Sequence, residues 1–225
     1  MPMNIAIDGP VGAGKSSIAD QVAQRLHILH LDTGAMYRAV GLYMLENGVS
    51  LEDGAAIAEN AGKARVDVRY EGREQRTYLN GRDVTGELRR PEVSLASSAV
   101  AKVHAVREAL VNRQRELARG ISLVMDGRDI GTCVLTDATL KIFLTAAPEE
   151  RARRRFRQMN GRGVQSFEDV LNDLIRRDRN DMSRAESPLR CAEDAVELDS
   201  TSLTEDEVVE RIVSLLMERT GGERA

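Results

Sequence analysis

Short apolar runs punctuate this 225-residue chain, and longer stretches with helical spacing lie between them. "MNIAI" (3–7), "ILHL" (28–31), "ISLVMD" (121–126), "LKIFL" (140–144) and "AVELDS" (195–200) are each bounded by turn or polar residues, which predicts buried strands. Ile18, Val22 and Leu26 recur at four-residue steps, predicting a helix over 15–26. A second helix is predicted over 33–46, with Thr33 as its N-cap and Asn47-Gly48 as its stop. Further helices are predicted over 51–61, 91–100, 103–118, from Pro148 through an arginine run, over 167–178 and over 205–219. Strands alternating with helices predict an α/β fold: a parallel sheet with helices on both faces.

One segment departs from this texture. Residues 64–86 alternate apolar and polar with period two, placing Val66, Val68 and Tyr70 on one face. Glu71-Gly72 and Asn80-Gly81 supply turn signals, so a small antiparallel sheet is predicted there as an appendage. The expected organisation is one domain, with a core of 1–61 and 91–225 and an insert at 62–90.

Composition narrows the class. Hydrophobic residues make up 42% but aromatic residues only 3%, with no tryptophan, so the core must be aliphatic. The net charge of −4 argues against a nucleic-acid partner, which would favour a basic chain. Cys133 and Cys191 have no metal-like spacing and imply no disulfide framework. No apolar run approaches the roughly 20 residues of a membrane span. No basic segment precedes the first apolar run as in a signal peptide. The expectation is a soluble, cytoplasmic protein without a membrane partner, and nothing demands more than a monomer.

The first strand leads into "GPVGAGKSS". Gly9, Pro10, Val11, Gly12, Ala13, Gly14, Lys15 and Ser16 fit G-x-x-x-x-G-K-[ST] in full, between a predicted strand and a predicted helix. Glycines let the backbone curl until several N–H groups face one anion, and the helix N-terminus adds partial positive charge. In such a loop Lys15 reaches the β- and γ-phosphates, Ser16 is placed to ligate Mg²⁺, and Ser17 donates to an inner phosphate. A nucleoside triphosphate with Mg²⁺ is the natural ligand, although the loop alone does not separate a kinase from a GTPase or an ATPase motor.

Two further segments bear on what receives the phosphate. Asp32-Thr33-Gly34 follows the second strand and opens a helix carrying Tyr37 and Arg38. Arg38, one turn in, could grip a second phosphate, though a lone helical arginine is more often a solvated charge. The strand ending at Asp126 has the acidic end expected to polarise a magnesium-bound water. In the loop that follows, Arg128 could neutralise a transferred phosphoryl group, and Asp129 could accept from an exocyclic amine.

"IDGPVGAGKSS", "LDTGAMYR", "DGRDIGT" and "RRDRNDMSR", together and in this order, resemble bacterial cytidylate kinases, a family of nucleoside monophosphate kinases. The resemblance covers essentially the whole chain. It implies a P-loop NTPase-type fold in which 62–90 enlarges the monophosphate-binding region. It also implies transfer of the γ-phosphoryl of ATP to CMP, with dCMP as a second acceptor, in pyrimidine nucleotide metabolism. Matched to the family pattern, Thr33, Tyr37 and Arg38 fall on acceptor-site positions, and Ser98, Arg107 and Asp129 on those reading cytosine. Arg128 falls near the acceptor phosphate. Arg177, Asp181 and Arg184 match R-D-x-x-D-x-x-R, where Asp181 holds ribose hydroxyls and the arginines serve phosphate. Cytosine offers an amine at N4 and acceptors at N3 and O2, so a charged Asp129 suits it and opposes uracil. Spacings of four and three predict that Arg177, Asp181 and Arg184 share one helix face.

"RARRRFR" (151–157) places Arg151, Arg154 and Arg155 on one predicted face, where a bound polyphosphate would relieve their repulsion. With the glycine-punctuated "MNGRGVQS" that follows, 151–165 reads as a short lid, its flexible points Gly161 and Gly163 and its candidate catalytic arginines Arg154 and Arg155. The mechanism expected is in-line transfer without a covalent intermediate, which leaves His27, His30 and His104 no catalytic role. The rivals are a P-loop kinase of UMP or another small acceptor, a regulatory NTP-binding module, and an RNA-binding protein using the arginine helix. No N-K-x-D guanine signature supports a GTPase. The scarcity of aromatics counts against RNA.

Overall fold

The computed structural model describes residues 2–159 and 166–222. The tip of the expected lid, with Gly161 and Gly163, lies outside them. The chain divides into two compact units, one of Met1–Leu29 with Gly120–Ala225 and one of His30–Arg119.

The first unit is built on parallel strands β1 (Asn4–Asp8), β6 (Leu123–Asp126), β7 (Leu140–Thr145) and β8 (Val196–Asp199). Their order is β6-β1-β7-β8, and β2 (Leu29–Asp32), in which the chain passes to the other unit, completes a five-stranded sheet at the β6 edge. Ile5 and Ile7 of β1, Leu123 of β6, and Leu140, Ile142 and Leu144 of β7 are almost wholly buried. Helices α1 (Lys15–Leu26) and α8 (Glu205–Thr220) cover this sheet with Ile18, Val22, Val208, Ile212 and Leu216. The core is aliphatic, as the composition requires. Helices α6 (Pro148–Met159) and α7 (Phe167–Met182) pack together over a small cluster of Ala152, Val170 and Leu174. Between β6 and β7, Ile130–Val134 forms one π-helical turn.

The second unit holds α2 (Thr33–Glu46), α3 (Gly54–Ala61), the antiparallel strands β3 (Val66–Glu71), β4 (Glu74–Leu79) and β5 (Arg82–Asp83), then α4 (Pro91–Val100) and α5 (His104–Ala118). Asn80 and Gly81 both have positive φ, at 50° and 84°, matching the tight turn predicted between β4 and β5. Helices α2 and α4 approach so closely that a Cβ on Gly41 would lie 2.9 Å from the Ala96 Cβ and the Ser97 nitrogen.

Four expectations are corrected. Asp32, not Thr33, caps α2, because its carboxylate reaches the Ala35 N–H at 3.0 Å while Thr33 already has helical geometry. Helix α3 starts at Gly54 because Asp53 caps it, accepting from Ala55 and Ala56 at 3.0 Å. Helix α7 runs on to Met182, with a Ser166/Asp169 capping box fixing its start. Arg184 therefore lies beyond the helix C-cap, Ser183, rather than on its face. Among the described residues no helix is long and apolar enough to cross a membrane.

Candidate active site

The loop from Gly9 to Gly14 is shaped by its neighbours. Gly9 has φ of +151°, and a Cβ there would lie 2.0 Å from the Leu144 carbonyl oxygen of β7, so no side chain fits. Gly12 and Gly14 hold φ of +78° and +91°, conformations that glycine adopts without strain. Gly14 opens α1 with no side-chain cap and no acidic residue in the first turn. Helices α7 and α8, by contrast, both start with capping boxes. The first N–H groups of α1 and its positive end are thus left to an anion.

Lys15 is 6% exposed, and its Nζ folds back to donate to the Pro10 carbonyl at 2.8 Å. Burial and then the neighbouring Arg128 guanidinium push its pKa down to about 7, against the pull of Asp126, Asp181 and Asp8. The Ser16 hydroxyl donates to Asp126 Oδ2 at 2.8 Å, and Asp126 is buried at the end of β6. These two hard oxygen groups suit Mg²⁺. Among the described residues no group of three or more His, Cys, Asp or Glu could hold a metal ion. The Ser17 hydroxyl donates to Glu205 at 2.9 Å, on the first turn of α8.

Around this loop the same unit gathers most of the predicted R-D-x-x-D-x-x-R and D-G-R-D groups. Arg128 Nε donates to Asp181 Oδ2 at 2.9 Å, and Asp181, Asp126 and Asp178 hold its pKa above the usual arginine value despite burial. Arg184, though past the helix, still reaches Asp181, with Nε donating to its carbonyl at 3.3 Å. Arg177 pairs with Asp173 at 2.8 Å, and burial, with Arg155, Arg176 and Arg128 nearby, lowers its pKa. Asp129 is buried at the start of the π-helical turn.

The arginines of α6 separate by environment. Arg151 is 4% exposed and paired with Asp178 at 2.6 Å, so it does not share a solvent face with Arg155, which is exposed. Arg154 pairs with Glu150 and donates to the Ser200 hydroxyl at 3.1 Å and to its carbonyl oxygen at 2.5 Å.

In the second unit, Arg38 Nη2 lies 2.6 Å from Asp32 Oδ2, so the residue that caps α2 also aims its first arginine. Gln75 of β4 grips the same residue, accepting from the Asp32 N–H at 2.8 Å and donating to its carbonyl at 3.2 Å. Tyr70 of β3 donates to the His30 carbonyl at 3.0 Å. The inserted sheet therefore braces the junction from which α2 departs. The guanidinium of Arg107, buried on α5, lies 5.9 Å from the Tyr37 ring centre. Thr33 is buried at the start of α2, and Ser98 is half-buried on α4, which packs against α2.

Sequence reasoning missed Asp8. It is buried at the end of β1, where its two oxygens accept from the Ile130 and Gly131 N–H groups at 2.8 and 2.7 Å. It thereby fixes the turn that Asp129 opens. A carboxylate closing an otherwise apolar strand was the available signal, since a buried charge needs dedicated partners.

A family model for cytidylate kinase matches residues 5–218 of the chain. The chain belongs to the cytidylate kinase family. It is 49% identical over 214 residues to a protein of Caldicellulosiruptor bescii named cytidylate kinase, covering 95% of each. It is 51% identical over 211 residues to one of Desulforamulus reducens with the same name, covering 93% of this chain and 95% of that one. In fold, it is similar to the crystal structure of a gluconokinase from Sinorhizobium meliloti, with a TM-score of 0.53 at 12% identity, covering 96% of this chain and 93% of that one. The chain is accordingly a kinase, with the parallel sheet, flanking helices and small antiparallel sheet expected from its sequence.

Proposed function

We propose that this member of the cytidylate kinase family transfers the γ-phosphoryl of ATP to CMP and dCMP, giving the diphosphate and ADP. The observation that carries the donor half is the uncapped start of α1 beside the buried Lys15, a cation whose cost of burial a polyphosphate would offset. Gly9, Pro10, Val11, Gly12, Ala13, Gly14, Lys15, Ser16 and Ser17 form the ATP-binding loop in this reading. Ser16, with Asp126 through water, would hold Mg²⁺, which when bound neutralises charge on the phosphate oxygens.

The acceptor half rests on family membership and on side-chain chemistry. Arg38, Arg128, Arg177 and Arg184 are assigned to phosphate, Asp181 to ribose hydroxyls, and Ser98, Arg107 and Asp129 to the base, with Thr33 and Tyr37 lining the site. The Asp129 carboxyl oxygens would accept from the cytosine amine and oppose the uracil carbonyl. Lys15, Arg128 and one or both of Arg154 and Arg155 stabilise charge on the transferred group. The acceptor oxygen is already anionic, so no side chain need act as a strong base. Residues 62–90 are assigned to the acceptor region, 151–165 to a lid that excludes water, and the remainder to a single kinase core acting as a cytoplasmic monomer.

The test is coupled ADP release with ATP, Mg²⁺ and each monophosphate in turn, on wild type and Asp129→Ala. Turnover confined to CMP and dCMP, with that contrast lost in the variant, supports the assignment. ATP turnover indifferent to every monophosphate would sink it.

A further inference from the structure

The phosphate loop does not rest only on its own strand and helix. The Val11 side chain packs into the small cluster of Ala152 on α6 and Val170 and Leu174 on α7. A Cβ on Gly12 would lie 3.4 Å from the Arg151 Cβ and 3.7 Å from Leu174 Cδ1. Both polar backbone groups of Val11 are taken by one buried ion pair. Its N–H donates to Asp178 Oδ1 at 3.0 Å, and its carbonyl accepts from Arg151 Nη1 at 2.8 Å. The same Nη1 lies 2.6 Å from Asp178 Oδ2, while Arg151 Nε donates to the Ala146 carbonyl at 2.8 Å. Arg151 and Asp178 are 4% and 7% exposed, so neither is available to a nucleotide.

We infer that Arg151 and Asp178 are positioning residues of the donor site: their ion pair fixes the Val11 peptide and so aims the N–H groups of the following loop at the ATP phosphates. This rests on reading that loop as the ATP site. A purely stabilising pair would predict something different. A buried ion pair exchanged for apolar residues of similar volume is often neutral in stability, whereas an orphaned backbone N–H keeps its desolvation cost. Both kinds of variant should therefore lose stability, but only one that orphans the Val11 N–H should also lose ATP affinity.

The variants are Arg151→Met with Asp178→Leu, and Asp178→Asn alone. The readouts are the thermal midpoint, the Kd for MgATP by calorimetry and amide exchange at Val11. The apolar double variant orphans the Val11 N–H and carbonyl, so it should melt lower, bind MgATP about tenfold more weakly or worse, and let Val11 exchange fast. Asp178→Asn leaves an acceptor for the Val11 N–H but removes the counter-ion of Arg151. It should melt lower, keep Val11 protected and bind MgATP more tightly than the double variant. A double variant with wild-type affinity, or an asparagine variant that loses as much, overturns the inference. Should the double variant not fold, the asparagine variant alone decides, because fast Val11 exchange with unchanged affinity overturns it equally. Wild type that fails to bind MgATP would remove the donor reading itself, and the inference with it.

Discussion

The Ser16 hydroxyl donates to Asp126 Oδ2 across 2.8 Å, joining the first turn of α1 to the end of β6. The bond orients the Asp126 carboxyl toward the loop. If Asp126 holds Mg²⁺ through water, Asp126→Asn removes charge but little volume. Activity at saturating ATP should fall about 10–100-fold, and half-activation should need more Mg²⁺. A magnesium titration of initial rates measures both. An unchanged magnesium requirement would place the metal elsewhere.

The two ends of the phosphate loop use glycine for different reasons, and substitution should expose that. At Gly9 an added Cβ meets the Leu144 carbonyl at 2.0 Å, so Gly9→Ala must push β1 and β7 apart, costing about 3 kcal/mol or more. At Gly14 the space is open and only φ of +91° resists, so Gly14→Ala should cost about 1–3 kcal/mol. Urea unfolding of the two variants gives the ranking. Equal costs would mean that strain, not the close approach, dominates at Gly9.

Much of this was legible beforehand. The apolar runs at β1, β6 and β7, the period-two insert and the glycine-lysine-serine loop each carry a local signal that the fold keeps. What was hidden depends on facing. Nothing in "RARRRFR" distinguishes Arg151, which is buried against Asp178, from Arg155, which is exposed, because helical spacing groups residues without saying which group meets the protein. Asp178 is itself the first aspartate of R-D-x-x-D-x-x-R, but the motif gave it no role and its spacing does not say that it turns inward to Arg151. Arg184 was misplaced because the spacing of four and three assumed that the helix continued, whereas α7 ends at Met182 and a bend still brings Arg184 to Asp181.

Asp8 gives the protein a pH signature. Burial, helped by the Asp129 charge, pushes its pKa from 3.8 up to about 6, against the Gly131 and Ile130 amides and Lys15. Below 3.8 the group is protonated in both states and costs nothing. Between 3.8 and about 6 the unfolded chain gives up its proton while the folded one keeps it, so stability falls as pH rises. Above that range the loss levels off at about 3 kcal/mol. Asp8→Asn does not titrate and should lose this slope, though its NH2 then faces one of the two backbone N–H donors and that bond is lost. Urea unfolding at pH 4, 5, 6 and 7 measures the difference between wild type and variant. Parallel profiles would show that folding does not raise the Asp8 pKa.

Asp32 performs two tasks with two oxygens, and they can be separated. Oδ1 accepts from Ala35 and caps α2, while Oδ2 pairs with Arg38 at 2.6 Å. Asparagine keeps a capping oxygen but turns an amide toward the guanidinium. Asp32→Asn should therefore hold the thermal midpoint near wild type and raise the acceptor KM several-fold, because Arg38 loses the partner that aims it. Asp32→Ala loses both functions, adding the roughly 1 kcal/mol of a missing cap to the same KM defect. Gln75 gives an independent check, since it grips only the Asp32 backbone, accepting its N–H at 2.8 Å. Gln75→Ala should raise the acceptor KM without removing the cap, which would give the inserted sheet a direct part in placing Arg38. An Asp32→Asn enzyme with a normal acceptor KM would remove Arg38 from the acceptor site. An Asp32→Asn enzyme as unstable as Asp32→Ala would show instead that the ion pair, not the cap, holds the start of α2.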